Sequence, residues 1–298
     1  MSELNVRHWL QIQKSNVVET DWYFRLKQRP GLKIVFVLII LAFVASAFAP
    51  ALAPYDPNLQ SLYDKNQGIS ADHWLGTDYL GRDLFSRVVC GLQISMAIAV
   101  STIASSFVIG IVIGSYAGYK GGWIDNIIAR VIDVFLAFPT IILALALVTL
   151  LGSGIFNMIL ILAVVQWASF ARLVRGQILA EKNAEYVLSA RASGLPDWRI
   201  LIKHLLPSCI MPVLVLATLD LGHTILTIST LSFLGLGLPP AIPEWGSMIN
   251  SGLSYMRIAP LNVIAPGIAI TIITLLFNMA GEGIRDITNP QTDPEGSL

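Results

Sequence analysis

Residues 134–171, VFLAFPTIILALALVTLLGSGIFNMILILAVVQWASFA, form a stretch without a charged side chain. An α-helix needs about 20 apolar residues to cross the ~30 Å hydrocarbon core of a bilayer, so this stretch is too long for one crossing. Gly152-Ser153-Gly154 interrupts it, and Gly and Ser favour a turn. We therefore predict two membrane-spanning helices, at about 127–150 and 155–173, joined by a tight hairpin.

Four further apolar stretches predict helices of the same kind, at about 34–53, 95–117, 207–231 and 258–281. The composition agrees, since 55% of the 298 residues are hydrophobic, 13% are charged and the mean hydropathy is +0.69. Segment 232–243 is apolar enough for a seventh crossing, but its glycines and prolines favour an outer re-entrant or lid segment. The predicted fold class is an all-α polytopic membrane protein with six transmembrane helices.

The distribution of lysine and arginine predicts the orientation. Basic residues favour the cytoplasmic side, and fifteen of the 19 lie on one side of the predicted spans. Both termini are on this side, so we expect a cytoplasmic segment at 1–33, the transmembrane domain at 34–290 and a cytoplasmic tail at 291–298. The net charge of +0 gives no basic excess for binding nucleic acid.

The sequence carries no motif for ATP hydrolysis or proteolysis. The phosphate-binding pattern GxxxxGK[ST] and the zinc-protease pattern HExxH are both absent. Cys90 and Cys209 lie far apart without a Cys/His cluster, which supports neither a disulfide framework nor a metal site. We predict a non-catalytic chain that binds no cofactor or metal, so any ATP is handled by another subunit.

The loop between the fourth and fifth predicted spans, residues 177–206, is much longer than a simple connection requires. Residues 185–194, EYVLSARASG, predict a short helix, with Glu185 in its first turn and Gly194 in the left-handed position after its end. Leu195-Pro196 stops it, and Asp197 opens a second helix that ends at Pro207. The loop is therefore predicted to be a helix-turn-helix on the cytoplasmic surface.

Glu185, Ala190 and Gly194, followed by Leu206-Pro207, resemble the EAA loop of ATP-binding-cassette importer permeases. Other stretches resemble the second, C-type permease subunit of the oligopeptide/dipeptide/nickel family. They are residues 73–87 (HWLGTDYLGRDLFSR), 167–175 (WASFARLVR), 232–237 (SFLGLG), 244–246 (EWG) and 277–290 (FNMAGEGIRDITNP). The resemblance covers roughly residues 30 to 290.

The resemblance implies a type I importer permease fold in the bacterial cytoplasmic (inner) membrane. It also implies a homologous second permease, two cytoplasmic ATPases that bind ATP and Mg, an extracytoplasmic solute-binding protein and contact with membrane lipid. Di- and oligopeptides are the first expectation for the substrate, and nickel or a metal chelate is the alternative. A stand-alone ion-coupled carrier is the alternative from a different class, although such a carrier has no reason to keep an EAA loop.

In this family the EAA helix docks into an ATPase, which assigns six residues to ATPase coupling. They are Glu185, Ala190, Gly194, Leu195, Asp197 and Pro207. A rigid helix with a sharp end is needed there, because a flexible loop would absorb the motion instead of transmitting it.

Three residues are candidates for the translocation path. Asp220 and His223 are three apart and share a helix face in the fifth span, and ionisable residues inside a membrane indicate function. They would contact a charged or metal-chelated substrate, or form an internal hydrogen-bonded pair. Pro139 is predicted to kink the third span, either for gating or as a static bend.

Further expectations concern packing and charge. Gly110, Gly114 and Gly118 predict a helix-packing face. An ion pair is expected between Arg130 and Asp133, three residues apart. Asp78, Arg82, Asp83 and Arg87 predict a solvated amphipathic helix outside the second span.

Overall fold

The computed structural model describes residues 29–288. Within this range the chain is helical and contains no β-strand, which confirms the all-α prediction. Most of the predicted cytoplasmic segment 1–33 and the whole tail 291–298 lie outside the described residues.

Five helices are long and apolar enough to cross a membrane. They are α1 (Pro30–Ala47), α3 (Leu84–Lys120), α6 (Ile155–Glu181), α8 (Asp197–Phe233) and α10 (Leu261–Thr288). Shorter helices lie between them: α2 (Ala49–Leu52), α7 (Glu185–Ala192) and α9 (Trp245–Leu253), with a 3₁₀ turn at Leu62–Asp64.

The third predicted span is a broken helix instead of one helix over 127–150. Helix α4 (Gly122–Ala137) and helix α5 (Thr140–Leu151) meet at an angle of 90°. Pro139 has no N–H to donate, and its ring pushes Phe138 into an extended conformation, at φ −89° and ψ 137°. The predicted kink at Pro139 is therefore a complete break, and the chain has six candidate spans only when α4 and α5 count as one.

Most of the helices extend beyond the charge-free stretches from which they were predicted. Helix α3 begins eleven residues before the predicted span 95–117, because the Asp83 carboxylate accepts the Ser86 N–H at 2.8 Å and caps the helix there. Arg87 lies in its first turn although a charge was taken to mark the outside of the membrane. A charged residue indicates which part of the chain lies outside the membrane, but it does not indicate where a helix begins. The start of the helix is determined by capping and backbone hydrogen bonding.

The second helix of the predicted helix-turn-helix is not separate. It begins at Asp197 as expected but runs through a π-helical turn, Leu201–Leu205, into Leu206–Phe233. A proline inside a helix removes one backbone donor, and a widened π turn is one way to accommodate it. Pro207 is therefore accommodated inside α8 instead of ending a helix.

The glycine stripe of α3 packs against α6, as predicted. A side chain at Gly114 would come within 2.5 Å of the Ala171 carbonyl oxygen, and one at Gly118 within 3.0 Å of the Arg175 carbonyl oxygen. Small residues let the two backbones approach closely, and this close approach drives helix association in a lipid environment.

Segment 232–243 leaves α8 at Phe233 and turns back into α9, a helix of nine residues that is too short for a crossing. Trp245 at the start of α9 is buried and donates its Nε1–H to the Val88 carbonyl of α3 at 2.9 Å. This agrees with the expected re-entrant or lid segment and with six crossings instead of seven.

Candidate functional site

Helix α7 ends in a Schellman motif built on Gly194. The glycine has φ +78°, the left-handed conformation expected for it. Its N–H donates to the Arg191 carbonyl at 3.0 Å, and the Leu195 N–H donates to the Ala190 carbonyl at 3.3 Å. These are the two bonds that define the motif, and they satisfy carbonyls that the helix end would otherwise leave free.

One face of α7 packs on the bundle and the other is open. Val187 and Ala190 are buried in an apolar cluster that Leu195 also contacts. Glu185, the first residue of the helix, is exposed, and Leu188 on the open side is 46% exposed. A short helix with an exposed leucine and a fixed inner face is suited to contact another protein.

Polar contacts tie the base of this loop to α3. The Tyr119 hydroxyl donates to the Asp197 carboxylate at 2.6 Å, and the Lys182 Nζ donates to the Gly118 carbonyl at 3.1 Å. At the start of α7 the Tyr186 hydroxyl donates to Glu181 at 2.5 Å. Partial burial raises the pKa of Tyr186 to about 12, and the bond to Glu181 acts in the same direction. The phenol therefore stays protonated, and this donor persists at neutral pH.

Asp220 and His223 line one cleft, together with residues that flank the break at Pro139. The cleft has a volume of about 190 Å³. Its lining residues are Phe135, Leu136, Phe138, Thr140, Val165, Gln166, Ser169, Asp220 and His223. The structure thus brings two of the candidate path residues together and places the third, Pro139, between two residues of the lining.

Gln166 is the member of this cleft that the sequence analysis missed. It is 7% exposed, and its Oε1 accepts the Thr224 hydroxyl at 3.1 Å. The available signal was an amide directly after the apolar run 158–165, since polar side chains in a membrane helix turn toward partners or cavities.

The expected ion pair between Arg130 and Asp133 is wrong. Asp133 binds Arg172 of α6 at 2.8 Å, and Asp125 holds Arg175 through two bonds of 2.5 and 2.8 Å. The aspartates of α4 pair with arginines of α6 instead of with a residue of their own helix, because the guanidinium groups of α6 face α4. The spacing of residues along one helix does not reveal which side chains a neighbouring helix presents.

The predicted solvated amphipathic helix at 78–87 is also wrong, because these charges are buried. Arg87 is 2% exposed and lies 3.7 Å from Asp78, which also binds Arg82 at 2.6 Å. Arg82 and Arg87 each donate to the Pro240 carbonyl at 3.1 Å. Residues 78–83 form a loop that leads into α3, and the two arginines hold this loop and the start of α3 to segment 232–243. This clamp is a contact across some 150 residues of chain, which is not visible in local patterning.

Glu244 is a second buried acid at this clamp. Its carboxylate caps α9 by accepting the N–H groups of Gly246 and Ser247, both at 2.9 Å. Burial raises the pKa of Glu244, and the two backbone bonds act against that rise. It also accepts the Ser229 hydroxyl at 3.4 Å, so it fixes the start of α9 beside α8.

Broken and continuous apolar helices with a rigid loop helix on one end define a membrane permease subunit. Residues 110–293 match the family described as "Binding-protein-dependent transport system inner membrane component". The chain belongs to this family. It is a multi-pass protein of the bacterial inner membrane and a non-catalytic subunit of an ATP-binding-cassette importer, in which the ATPase is a separate subunit.

Two curated relatives are similar over nearly the whole chain. The glutathione transport system permease protein GsiD of Pectobacterium atrosepticum is 41% identical, with 96% of this chain and 99% of the relative covered. The dipeptide transport system permease protein DppC of Alkalihalophilus pseudofirmus is 38% identical, with coverages of 90% and 88%. These matches confirm the resemblance to oligopeptide and dipeptide permeases.

The fold resembles a solved transporter. A chain of the MetNI methionine ABC transporter in an inward-facing conformation superposes with a TM-score of 0.56 at 22% identity. The match covers 69% of this chain and 98% of that chain. This likeness confirms the predicted importer permease fold.

Proposed function

We propose that this chain forms half of the translocation pathway of an importer for di- and oligopeptides, driven by two cytoplasmic ATPases. The observation that carries the proposal is α7, a rigid exposed helix on a permease with no nucleotide-binding motif of its own. The relatives named for glutathione and dipeptide transport support a peptide substrate. ATP and Mg are bound by the ATPases, and a second permease and an extracytoplasmic binding protein complete the complex.

Nickel import is the weaker candidate. The two relatives above carry peptide names. Among the described residues, no group of three or more His, Cys, Asp and Glu side chains could hold a metal ion. Asp220 and His223 alone offer only two ligands, fewer than an all-protein metal site uses.

The proposed orientation places α7 in the cytoplasm. Arg29, before α1, binds Asp286 near the end of α10 at 2.7 Å. Gly281 of α10 meets Leu219 of α8, whereas Gly222 meets Asn278, so the two helices run antiparallel. The end of α10 and the loop that carries α7 are thus at one end of the bundle, and this end has most of the basic residues, which favour the cytoplasmic side.

Coupling would proceed through α8. Glu185, Ala190, Gly194 and Leu195 shape the docking helix, and Asp197 holds it to α3. Asp197–Phe233 is one helix, so a displacement at Asp197 reaches Asp220, about 35 Å further along at 1.5 Å per residue. Closure of the ATPases on ATP would then reorient the helices around the cleft.

The test is ATP-dependent peptide uptake into reconstituted vesicles that contain the full complex, with ATP enclosed and the binding protein added outside. We expect uptake that requires the loaded binding protein and this chain. Uptake of peptide without ATP, driven by an ion gradient, would contradict the proposal and support the stand-alone carrier.

A further inference from the structure

The cleft beside α8 holds a carboxylate inside a candidate membrane span. Asp220 lies 23 residues after Asp197 and 13 residues before Phe233, the two ends of α8. Gln166 of α6 lies close to the middle of its own helix. An aspartate within a membrane span is costly unless it faces a cavity or a partner.

The two aspartates of α4 have ion-pair partners, whereas the carboxylate of Asp220 in α8 has none among the described residues. Asp125 and Asp133 each bind an arginine of α6. Among residues 29–288, no hydrogen bond or ion pair is formed by the carboxylate of Asp220. His223, one turn later, is its electrostatic neighbour without forming an ion pair. The carboxylate thus faces the cleft with its charge uncompensated by the described part of the chain.

Gln166 is an independent second observation. It is more than nine-tenths buried and lines the same cleft, yet its Nε2 has no hydrogen-bond partner among the described residues. A buried amide donor without an acceptor loses the hydrogen bond that it would form with water, which destabilises the unoccupied cleft. A ligand with a carbonyl oxygen would remove this cost.

The cleft therefore offers an anionic acceptor and a neutral donor. Its volume of about 190 Å³ equals that of about six waters at about 30 Å³ each. This is room for an ammonium group and the residue that carries it. Phe138 and Thr140, on either side of the break at Pro139, form part of its lining.

We propose that Asp220 and Gln166 form a binding subsite for the amino-terminal end of a peptide in transit. The carboxylate accepts the ammonium group and the amide Nε2 donates to the first carbonyl oxygen. This inference rests on the proposed peptide import and adds the chemical group that the pathway recognises. It makes Asp220 a specificity-determining residue of the permease, distinct from any selection by the binding protein.

The experiment is a substrate-by-residue cycle in proteoliposomes that contain the whole complex. Uptake is compared for the dipeptide Ala-Phe and for its analogue with hydrogen in place of the ammonium group. Each is supplied on binding protein whose saturation is verified by bound ligand. Three versions are measured: the wild type, Asp220→Asn, and Asp220→Glu, which keeps the charge. ATP hydrolysis and recovery of the assembled complex are recorded for each.

We expect the wild type to transport Ala-Phe about tenfold faster than the analogue, the size of one hydrogen bond to a charged group. Asp220→Asn should transport both at the same rate, and Asp220→Glu should restore part of the preference.

Three results would overturn the inference. An equal loss for both substrates in Asp220→Asn means a structural role. Reduced recovery of the complex means that Asp220 instead pairs with a cation of the second permease. If Asp220→Asn still prefers Ala-Phe over the analogue as strongly as the wild type does, the carboxylate does not bind the ammonium group. Absence of any peptide uptake by the wild type would instead refute the proposed function.

Discussion

At the scale of single residues, the sequence predicted the left-handed backbone conformation of Gly194. It did not predict that the space around this glycine is free of neighbouring atoms. A glycine after a short amphipathic run indicates a helix end. A Cβ at this position meets nothing within 4 Å, so a substitution there acts through backbone conformation and not through a clash.

Gly194→Val should therefore impair coupling where Gly194→Asn does not. A β-branched residue at φ +78° costs about 1–2 kcal/mol or more, whereas Asn adopts this conformation routinely. We expect reduced peptide uptake per ATPase in the Val variant and near-normal uptake in the Asn variant. Equal impairment in both would show that the position is sensitive to any side chain.

Arg87→Met should destabilise the outer clamp. It removes the donor to the Pro57 carbonyl at 2.9 Å and to the Pro240 carbonyl at 3.1 Å, and it leaves Asp78 with Arg82 as its remaining partner. Breaking a buried pair typically costs about 3–5 kcal/mol. The measurement is thermal unfolding in detergent, with exposed Arg130→Met as the control. A melting temperature equal to that of the control would contradict the buried network.

At the scale of helices, apolar runs gave the number and approximate place of the spans, because burial in lipid demands a continuous helix of fixed length. The apolar runs did not predict the 90° bend at Phe138-Pro139. A proline predicts that a helix is interrupted, but tertiary packing sets the angle between the two parts. Nor did the apolar runs predict the continuity of α8 through Pro207, because a π turn has no local sequence signal.

The packing of α3 on α6 provides a matched pair of glycine substitutions. Gly114→Ala places a Cβ 2.5 Å from the Ala171 carbonyl oxygen, whereas Gly176→Ala, exposed on α6, meets nothing within 4 Å. We expect the first to lower the melting temperature and the second to leave it unchanged or raise it, since Ala favours a helix by up to ~1 kcal/mol over Gly. A similar effect of both changes would contradict the close packing.

At the scale of the whole molecule, the proposed orientation rests on the distribution of basic residues and on the ion pair of Arg29 and Asp286. The prediction is checked with single cysteines in a background lacking Cys90 and Cys209. Tyr63→Cys, at a site 99% exposed, should react with a membrane-impermeant thiol reagent added outside intact cells, whereas Ser193→Cys should react only after lysis. The reverse pattern would invert the topology.

The candidate site shows where sequence reasoning ends for the molecule as a whole. Asp220 and His223 were found because charge is rare in a span. Gln166 was missed because its significance depends on which helix faces α8. Contacts between distant segments, such as the clamp of Arg82 on Pro240, likewise require the assembled fold.

The central claim is that α7 is the point of contact with an ATPase. It is tested most directly by a photo-crosslinking amino acid at Leu188, on the open side of α7, in native membranes that contain the whole complex. The matched control carries the same amino acid at Leu150, 80% exposed at the end of α5. The account predicts an ATPase adduct from position 188 and none from position 150. If no ATPase adduct forms from position 188 in membranes where the complex is intact, the claim that α7 contacts an ATPase is contradicted.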